Sequence, residues 1–232
     1  MRNNLNITRY QKISTSKKET LFFSLVILTI LILQTGCNWI LPKKASAKRF
    51  KAYVRYVIDG DTIILANGER VRYLGINAPE IAHKDQAAQP FGMAAKKFNK
   101  ILVYHKWVII DTKGEGRDQY GRLLGFIFLK DGTLVNLLLV KKGLAYCDLT
   151  RDLPFKDKFI RAQRKAMKRR LGIWSLPIKN PEPYYIGNRR SMRFHRPWCP
   201  LGRQTSRRNR IIFKNAWDAY WNGYFPCKQC NP

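Results

Sequence analysis

The sequence is organised around DGDTIILANGERVRYLGINAPE, residues 59–80. Two dipeptides typical of tight turns, Asp59-Gly60 and Asn67-Gly68, separate three runs rich in β-branched and aromatic residues. The runs are 54–58, 62–65 and 71–74. This alternation predicts a three-stranded β-meander. Pro79 stops the hydrogen-bonding ladder after the third strand, because proline has no N–H to donate.

Oxygen-bearing side chains lie at the ends of these predicted strands. Asp61 begins the second strand, and Asn77 and Glu80 follow the third. We expect the meander to bring them together beside Arg72. Oxygen ligands without histidine or cysteine suit a hard cation such as Ca²⁺, and an arginine fork beside that cation suits a phosphate. In the alternative interpretation Asp59 and Asp61 are ordinary turn residues, and Glu80 is a solvated loop acid.

The composition points to a polyanionic partner. The 232 residues include 44 Lys and Arg against 15 Asp and Glu, a formal net charge of +29. A surplus of this size implies nucleic acid or an anionic membrane surface as the partner. The alternative is a chain that is merely basic throughout. The length allows one domain with a substantial core and one smaller module.

The N-terminal 48 residues are typical of an export segment. A basic region precedes an apolar run, 21–33, which is followed by Thr35-Gly36-Cys37. This order is typical of a secretory signal, and its ending resembles a bacterial lipobox, in which the cysteine is lipidated. The alternative is an uncleaved anchor, because apolar residues resume at Trp39 and the segment could just span a bilayer of about 30 Å. Both interpretations predict an exported chain attached to the bacterial membrane and facing outside.

Further elements follow the meander. Apolar residues from Phe91 to Leu102, Ile101 among them, recur at helical spacing. Asn136 is expected to cap a short helix, and Gly143 to follow its C-terminus. The other predicted elements are strands at 107–110 and 123–129, a loop at 113–122, and a basic amphipathic helix at 157–171 that stops at Gly172.

Together these elements predict an α+β protein. Five strands, with a helix after the third and two later helices, are typical of an OB-type barrel. We therefore predict a five-stranded OB-fold barrel with three helices and a small zinc-stapled C-terminal module. The predicted boundaries are 1–37 for the signal or anchor, 38–48 for a linker, 49–176 for the barrel domain, 177–184 for a second linker and 185–232 for the module.

Five segments of the barrel domain resemble the thermonuclease (staphylococcal or micrococcal nuclease) family in order and spacing. They are 57–62, 72–80, 117–122, 139–145 and 172–175. The resemblance implies a Ca²⁺-dependent phosphodiesterase that cuts DNA and RNA. It also implies the roles of particular residues. They are Asp61, Asn77 and the Ala78 carbonyl as Ca²⁺ ligands, Glu80 as the residue that orients or deprotonates the attacking water, Arg72 and Arg122 as phosphate clamps, and Tyr120 beside the nucleotide.

One of these positions departs from the family pattern. Asn77 stands where the family most often has a second aspartate ligand. An amide oxygen can ligate Ca²⁺ but contributes no charge. Because affinity in Ca²⁺ sites follows the charge of the ligands, we expect weaker binding than at a site with two aspartates.

The C-terminal module carries a second candidate metal site. His195 and Cys199 form one close pair, and Cys227 and Cys230 form another. Two such pairs suit a tetrahedral structural Zn²⁺ site. The alternatives are a disulfide, which export permits, and a surface histidine beside a cluster of three cysteines. The remaining cysteine, Cys147, is expected to be a buried free thiol.

Residues 191–232 resemble the Ada-like zinc-binding domain of alkylation-repair proteins. In that family the first ligand is a cysteine that accepts a methyl group, whereas His195 stands there in this chain. We therefore predict that the metal stabilises a module that serves for binding, and that the module accepts no methyl group. Arginines interleaved with aromatic residues suit contact with nucleic acid, although the aromatic residues could instead form the small core. These aromatic residues are Tyr185, Phe194, Trp198 and Phe213.

The features together predict an exported, surface-tethered, Ca²⁺-dependent nuclease that cuts DNA or RNA with low sequence specificity. The main alternative is a catalytically weak or inactive OB-fold protein of the cell envelope that binds nucleic acid. A structural envelope protein that binds anionic wall polymers would explain the charge, but it would not explain the five segments.

Overall fold

The computed structural model describes residues 47–82 and 87–232. The predicted signal or anchor, with Cys37, and the linker up to residue 46 lie outside the described residues. Within the described ranges, no helix combines the length and the apolar character needed to cross a membrane.

The first half of the described chain forms a closed five-stranded barrel flanked by two short strands. The strands are β1 (Arg49–Val57), β2 (Thr62–Leu65), β3 (Arg70–Tyr73), β4 (Ile76–Asn77), β5 (Trp107–Asp111), β6 (Leu123–Phe128) and β7 (Tyr146–Cys147). The barrel order is β1-β2-β3-β6-β5. Antiparallel pairing of β1 with β2 and of β2 with β3 confirms the predicted meander. Strands β4 and β7 pair with each other beside the barrel.

Three α-helices pack around the barrel, which confirms the predicted fold. They are α1 (Gly92–Val103), α2 (Val135–Lys141) and α3 (Lys156–Lys168), and a 3₁₀ turn follows at Gly172–Ser175. The buried face of α1 carries Ala95, Asn99 and Val103. Ile101 was expected on that face, but it is 62% exposed. Helix α3 ends at Lys168 rather than at Leu171.

The prediction that Asn136 caps α2 is wrong. Asn136 lies inside the helix and is fully buried, and Leu134 occupies the N-cap position. The Asn136 side chain accepts a hydrogen bond from the Ile127 amide (2.9 Å) and donates one to the Leu74 carbonyl (2.8 Å). A buried amide needs partners at both ends, so Asn136 ties the end of β3 to β6. Gly143 follows α2 with φ +67, as expected for the residue after a helix.

Residues 185–232 form a second, four-stranded sheet with two short helices. Its elements are β8 (Tyr185–Asn188), β9 (Arg193–His195), α4 (Pro200–Arg203), a 3₁₀ turn at Arg207–Asn209, β10 (Arg210–Phe213), α5 (Ala216–Trp221) and β11 (Phe225–Pro226). The strand order is β10-β8-β9-β11. We call residues 185–232 the C-terminal module.

The C-terminal module shares a core with the end of the barrel domain, and both belong to one compact unit. Met167 and Trp174 pack in the same cluster as Tyr220 of α5. Across this contact the Gln163 side chain donates to the Tyr220 carbonyl (2.6 Å), and Arg164 donates to the Trp221 carbonyl (3.0 Å). The module is therefore held in place by packing and by hydrogen bonds.

This shared core corrects the prediction that four aromatic residues of the module contact nucleic acid. Tyr185, Phe194 and Phe213 are buried, so their rings are not available for base stacking. Only Trp198 of the four remains exposed. The alternative interpretation, in which most of these rings form the small core, is the one the structure bears out.

Candidate active site and metal centres

The connection between β1 and β2 is pinned from two sides. A Cβ on Gly60 would lie 2.6 Å from that of Ala78 and 2.7 Å from that of Ala95. Glycine is needed here because of this close approach. Backbone conformation does not require it, since Gly60 is not in the left-handed region. The Asn99 amide donates to the Asp59 carbonyl (3.2 Å) and accepts a hydrogen bond from the Tyr73 hydroxyl (2.9 Å). These contacts fix the position of Asp61, which comes just before β2.

Asp61 is buried among hydrogen-bond donors. Its Oδ2 accepts from the Ala78 amide at 2.5 Å, and its Oδ1 accepts from the Thr62 hydroxyl at 3.2 Å. Burial raises the pKa of Asp61 to about 7, and the charge of Arg72 opposes this rise. Since burial disfavours the ionised carboxylate, a second cation at this position would stabilise its charged form.

Arg72 joins Asp61 to Asn77. Its Nη1 lies 2.5 Å from Asp61 Oδ2, and its Nη2 donates to Asn77 Oδ1 at 3.0 Å. Nη1 is buried and makes no well-directed hydrogen bond, in spite of the short contact with Asp61. The guanidinium therefore keeps a donor that an additional acceptor could satisfy.

The oxygen atoms around Arg72 fit the coordination of a Ca²⁺ ion. The Asp61 carboxylate and the Asn77 amide oxygen converge on the guanidinium, and the Ala78 amide contacts the same carboxylate. The side-chain set is oxygen only and carries one formal negative charge, which suits a hard cation. Asp61 and Asn77 would hold such an ion, and it would take over the charge pairing that Arg72 makes here. Arg72 would then be free for a phosphate.

The structure places Arg122 near the start of β2. Its Nη1 lies 3.5 Å from the Thr62 hydroxyl, and its Nε donates to Asp118 Oδ2 at 2.7 Å. Asp118 also accepts hydrogen bonds from the Tyr120 and Arg122 amides, both at 3.0 Å. The Arg122 guanidinium lies 5.4 Å from the centre of the exposed Tyr120 ring. Asp118 thus orients Arg122, a role that sequence analysis did not assign.

The third predicted catalytic residue, Glu80, has its carboxylate outside the described contacts of Asp61, Arg72 and Arg122. Its backbone exchanges hydrogen bonds with Gln89, and its Oε1 accepts from Lys228 Nζ at 2.7 Å. A Cβ on Gly92 would lie 2.5 Å from the Glu80 carbonyl oxygen, so the loop packs tightly on the start of α1. No local pattern in the sequence links Lys228 to Glu80, because 148 positions separate them.

The second candidate site brings together the four predicted ligands. The ligand atoms of His195, Cys199, Cys227 and Cys230 all lie within 4.8 Å of one another, and the four residues are buried. With usual bond lengths, a tetrahedral Zn²⁺ site separates sulfur and nitrogen by about 3.6 Å. Cys199 Sγ and His195 Nδ1 are 3.5 Å apart. Burial, with a smaller contribution from Arg193, lowers the pKa of His195 and favours the neutral imidazole that binds metals.

The alternatives to this zinc site are not observed. Each described cysteine is a free thiol, and Cys147 is buried in β7 as expected. His195 is buried rather than on the surface. Burial, with its neighbouring thiols, raises the pKa of Cys230 to about 12. A bound cation would reverse this shift, because a coordinating thiol is deprotonated.

Comparison with known proteins identifies both parts of the chain. Residues 70–176 match the staphylococcal nuclease homologue family. The chain is 33% identical over 172 residues to a thermonuclease of Staphylococcus intermedius, an alignment that covers 71% of this chain and 98% of that protein. The chain belongs to the thermonuclease family. Members of this family are nucleases, hydrolases of phosphodiester bonds.

Two endonucleases of Bacillus subtilis (strain 168) are also similar to this thermonuclease-family chain. Identity is 39% over 124 residues for both the SPbeta prophage-derived endonuclease YokF and endonuclease YncB. Each alignment covers 51% of this chain, 42% of YokF and 58% of YncB. The chain therefore spans about half the length of these two relatives. Residues 181–232 match the metal binding domain of Ada, and this match includes all four zinc ligands.

The zinc site of this thermonuclease-family chain yields a direct prediction. Cys199→Ser should lower the zinc content from about one ion per chain to near zero, because structural sites need all four ligands. It should also lower the unfolding temperature, since the module shares its core with α3. Elemental analysis of the purified protein measures the first effect, and circular dichroism measures the second. Cys147→Ala is the matched control and should retain zinc. A zinc-free wild-type protein would contradict the assignment.

Proposed function

We propose that this chain is an exported, surface-tethered, Ca²⁺-dependent nuclease that cuts DNA, RNA or both with low sequence specificity. The observation that carries the proposal is the meeting of Asp61, Arg72 and Asn77 at hydrogen-bonding distances. Such a cluster of oxygen donors with an arginine suits a metal-assisted reaction at a phosphate. The nuclease relatives give the reaction class.

Two arginines would bind the scissile phosphate. Arg72 carries the buried donor without a well-directed hydrogen bond, and Asp118 holds Arg122 through its Nε. Planar guanidinium groups donate pairs of hydrogen bonds to phosphate oxygens, and such donors stabilise the charge that develops during phosphoryl transfer. When bound, Ca²⁺ would neutralise phosphate charge and lower the pKa of nearby water.

Glu80 would orient or deprotonate the attacking water. Its side chain is 25% exposed, so water can reach the carboxylate. The two hydrogen bonds with Gln89 hold its backbone against the start of α1. A positioned carboxylate that takes the proton from water is the usual general base of such reactions.

The charge of the chain supports capture of nucleic acid without sequence preference. The net charge of +29 favours the phosphate backbone, which carries no sequence information. Binding to polynucleotides should therefore weaken steeply as salt concentration rises.

Dependence on Ca²⁺ is tested by following cleavage of a dye-quenched oligonucleotide while Ca²⁺ is added to EGTA-treated protein. We expect activity to rise with Ca²⁺ to a plateau and to disappear when the chelator is added again. Equal activity with and without chelator would contradict the proposed role of the metal.

Export and attachment rest on the composition of residues 1–37 and are tested in a bacterial host. We expect lipid-linked material in the membrane fraction whose mature N-terminus is Cys37. Globomycin, which blocks lipoprotein processing, should leave a longer precursor. A membrane-bound product that retains residues before Cys37 would support the uncleaved anchor. Protein found only in the cytoplasm would contradict export.

Asn77→Asp should strengthen Ca²⁺ binding. The substitution adds a second carboxylate beside Asp61, and affinity follows the charge of the ligands. We expect the Ca²⁺ concentration for half-maximal activity to fall about 10-fold, which corresponds to about 1.4 kcal/mol of binding free energy. Asn67→Asp, in the exposed turn between β2 and β3, is the matched control. An unchanged Ca²⁺ titration would exclude Asn77 as a ligand.

A further inference from the structure

The contact between Lys228 and Glu80 places part of the C-terminal module beside the proposed catalytic carboxylate. Lys228 Nζ lies 2.7 Å from Glu80 Oε1, and the two side chains are 52% and 25% exposed. Partly exposed ion pairs contribute little to stability. Another anion can therefore replace the Glu80 carboxylate as the partner of this lysine at small cost.

The backbone that carries Lys228 is firmly held. Lys228 lies in the turn between the zinc ligands Cys227 and Cys230, and the Cys227 amide donates to the Phe194 carbonyl of β9 (3.0 Å). The side chain of Arg196 is buried and donates to the Cys230 carbonyl (3.2 Å) and to the Asn180 carbonyl (2.6 Å). The metal site and Arg196 thus hold the backbone at Lys228. Its long side chain is half exposed, so the ammonium group can move.

A cleft of about 290 Å³ has Lys228 and Pro79, the residue before Glu80, in its lining. Its lining residues come from the barrel domain, from the segment that follows it and from the C-terminal module. They include Asn77, Pro79, Tyr146, Trp174, Pro226 and Lys228. The prolines and the partly exposed rings of Tyr146 and Trp217, together with Lys228, suit a nucleobase and its phosphate, since stacking is available to every base. The indole N–H of Trp174 has no hydrogen-bond partner in the part of the chain that the structure describes.

We propose that this cleft binds the nucleotide next to the scissile phosphate, and that Lys228 contacts the phosphate of that nucleotide. The inference rests on the proposed nuclease function. Without substrate, Lys228 pairs with Glu80. When a polynucleotide enters, the flanking phosphate takes the lysine, and the Glu80 carboxylate becomes free for the attacking water. The C-terminal module is therefore part of the substrate-binding surface and makes the enzyme favour chains over isolated diesters.

The test compares the full chain with Lys228→Met on three substrates. One is a dinucleoside monophosphate with a single phosphodiester bond, and the others carry an added phosphate at the 5′ or the 3′ end. We expect one added phosphate to raise kcat/KM of the wild-type protein about 10-fold, the usual order for a charge-assisted contact. Lys228→Met should lose that gain, mainly through KM, and should cut the unmodified substrate no more slowly than the wild type, because Glu80 is then free without a flanking phosphate. Lys228→Arg should keep part of the gain.

Lys214→Met, at an exposed position outside the cleft, is the matched control. A loss of equal size on all three substrates would overturn the inference, because it would assign Lys228 to positioning Glu80. Wild-type behaviour of Lys228→Met on all three would overturn it as well, and the proposed function would then still stand.

A wild-type protein that cuts none of the three substrates, and also leaves the dye-quenched oligonucleotide intact in Ca²⁺, would count against the proposed function instead. The lysine contact is then tested by binding of labelled single-stranded DNA in EGTA at several salt concentrations. Removing one phosphate contact should reduce the slope of log K against log salt by about 0.7. An unchanged slope would contradict the contact.

Discussion

Glu80→Gln should lower kcat for phosphodiester cleavage about 10²-fold or more, the usual contribution of a positioned general base. The amide keeps the size of the side chain but cannot take a proton from water. Glu80 is partly exposed, and its ion pair with Lys228 is a surface contact of small energetic weight. The substitution should therefore leave the unfolding temperature and the affinity for DNA close to those of the wild type. Single-turnover cleavage of an oligonucleotide in Ca²⁺ measures the chemical step.

Glu69→Gln is the matched control for this change. Glu69 is a partly exposed glutamate that pairs with Arg117 outside the proposed site. Its replacement should leave kcat within about twofold of the wild type, as expected for a surface charge pair. If Glu80→Gln cleaved as fast as Glu69→Gln, Glu80 would have no role in the reaction, and the base would have to be sought elsewhere.

The second large effect is expected from Arg122→Lys. Lysine keeps the charge but loses the planar fork, and it cannot both contact Asp118 and donate a pair of hydrogen bonds to a phosphate. Removing one donor that stabilises developing charge typically costs 10² to 10³ in kcat. We expect a loss of about that size, with a smaller change in KM. Steady-state kinetics on the same oligonucleotide measure both quantities.

Arg117→Lys provides the comparison within the same loop. Arg117 donates to both carboxylate oxygens of Glu69, and its side chain is about half exposed. Its replacement should affect local packing and leave kcat nearly unchanged. Equal losses for the two variants would mean that the effect of Arg122→Lys comes from disturbing the loop rather than from a missing phosphate contact.

Local patterns predicted most of the barrel. The turn dipeptides and β-branched runs specify β1 to β3, because strand propensity and turn chemistry act over a few residues. Helical periodicity located α1 but placed Ile101 on the wrong face, since tertiary packing decides which part of an apolar stripe is covered. Asn136 has the sequence signature of a cap but acts as a buried bridge, and its partners are Ile127 of β6 and Leu74, the residue after β3.

The metal sites were predictable to different degrees. His195, Cys199, Cys227 and Cys230 could be paired from their spacing alone, because metal-ligand types are few and their geometry is strict. The association of Arg72 with Asp61 and Asn77 depends on how the meander folds back, so the sequence predicted that they would be close but not which atoms meet.

The position of the C-terminal module could not be predicted from local patterns. Its prolines suggested a linker at 177–184, and nothing nearby indicates that Trp174 and Tyr220 share one core. The contacts of Gln163 and Lys228 with distant partners likewise cross long stretches of sequence. This packing brings a basic side chain of a structural zinc module to the proposed catalytic carboxylate.

The central claim, that this chain is a Ca²⁺-dependent nuclease, is tested most directly with circular single-stranded DNA. Residues 49–232 are incubated with the circle in Ca²⁺ or in EGTA, beside the Glu80→Gln variant. We expect linear products and then fragments in Ca²⁺ only, and a strongly reduced rate in the variant. Since a circle has no ends, such cutting must be endonucleolytic. Tight binding of the circle without cutting in Ca²⁺, Mg²⁺ and Mn²⁺ would contradict the claim.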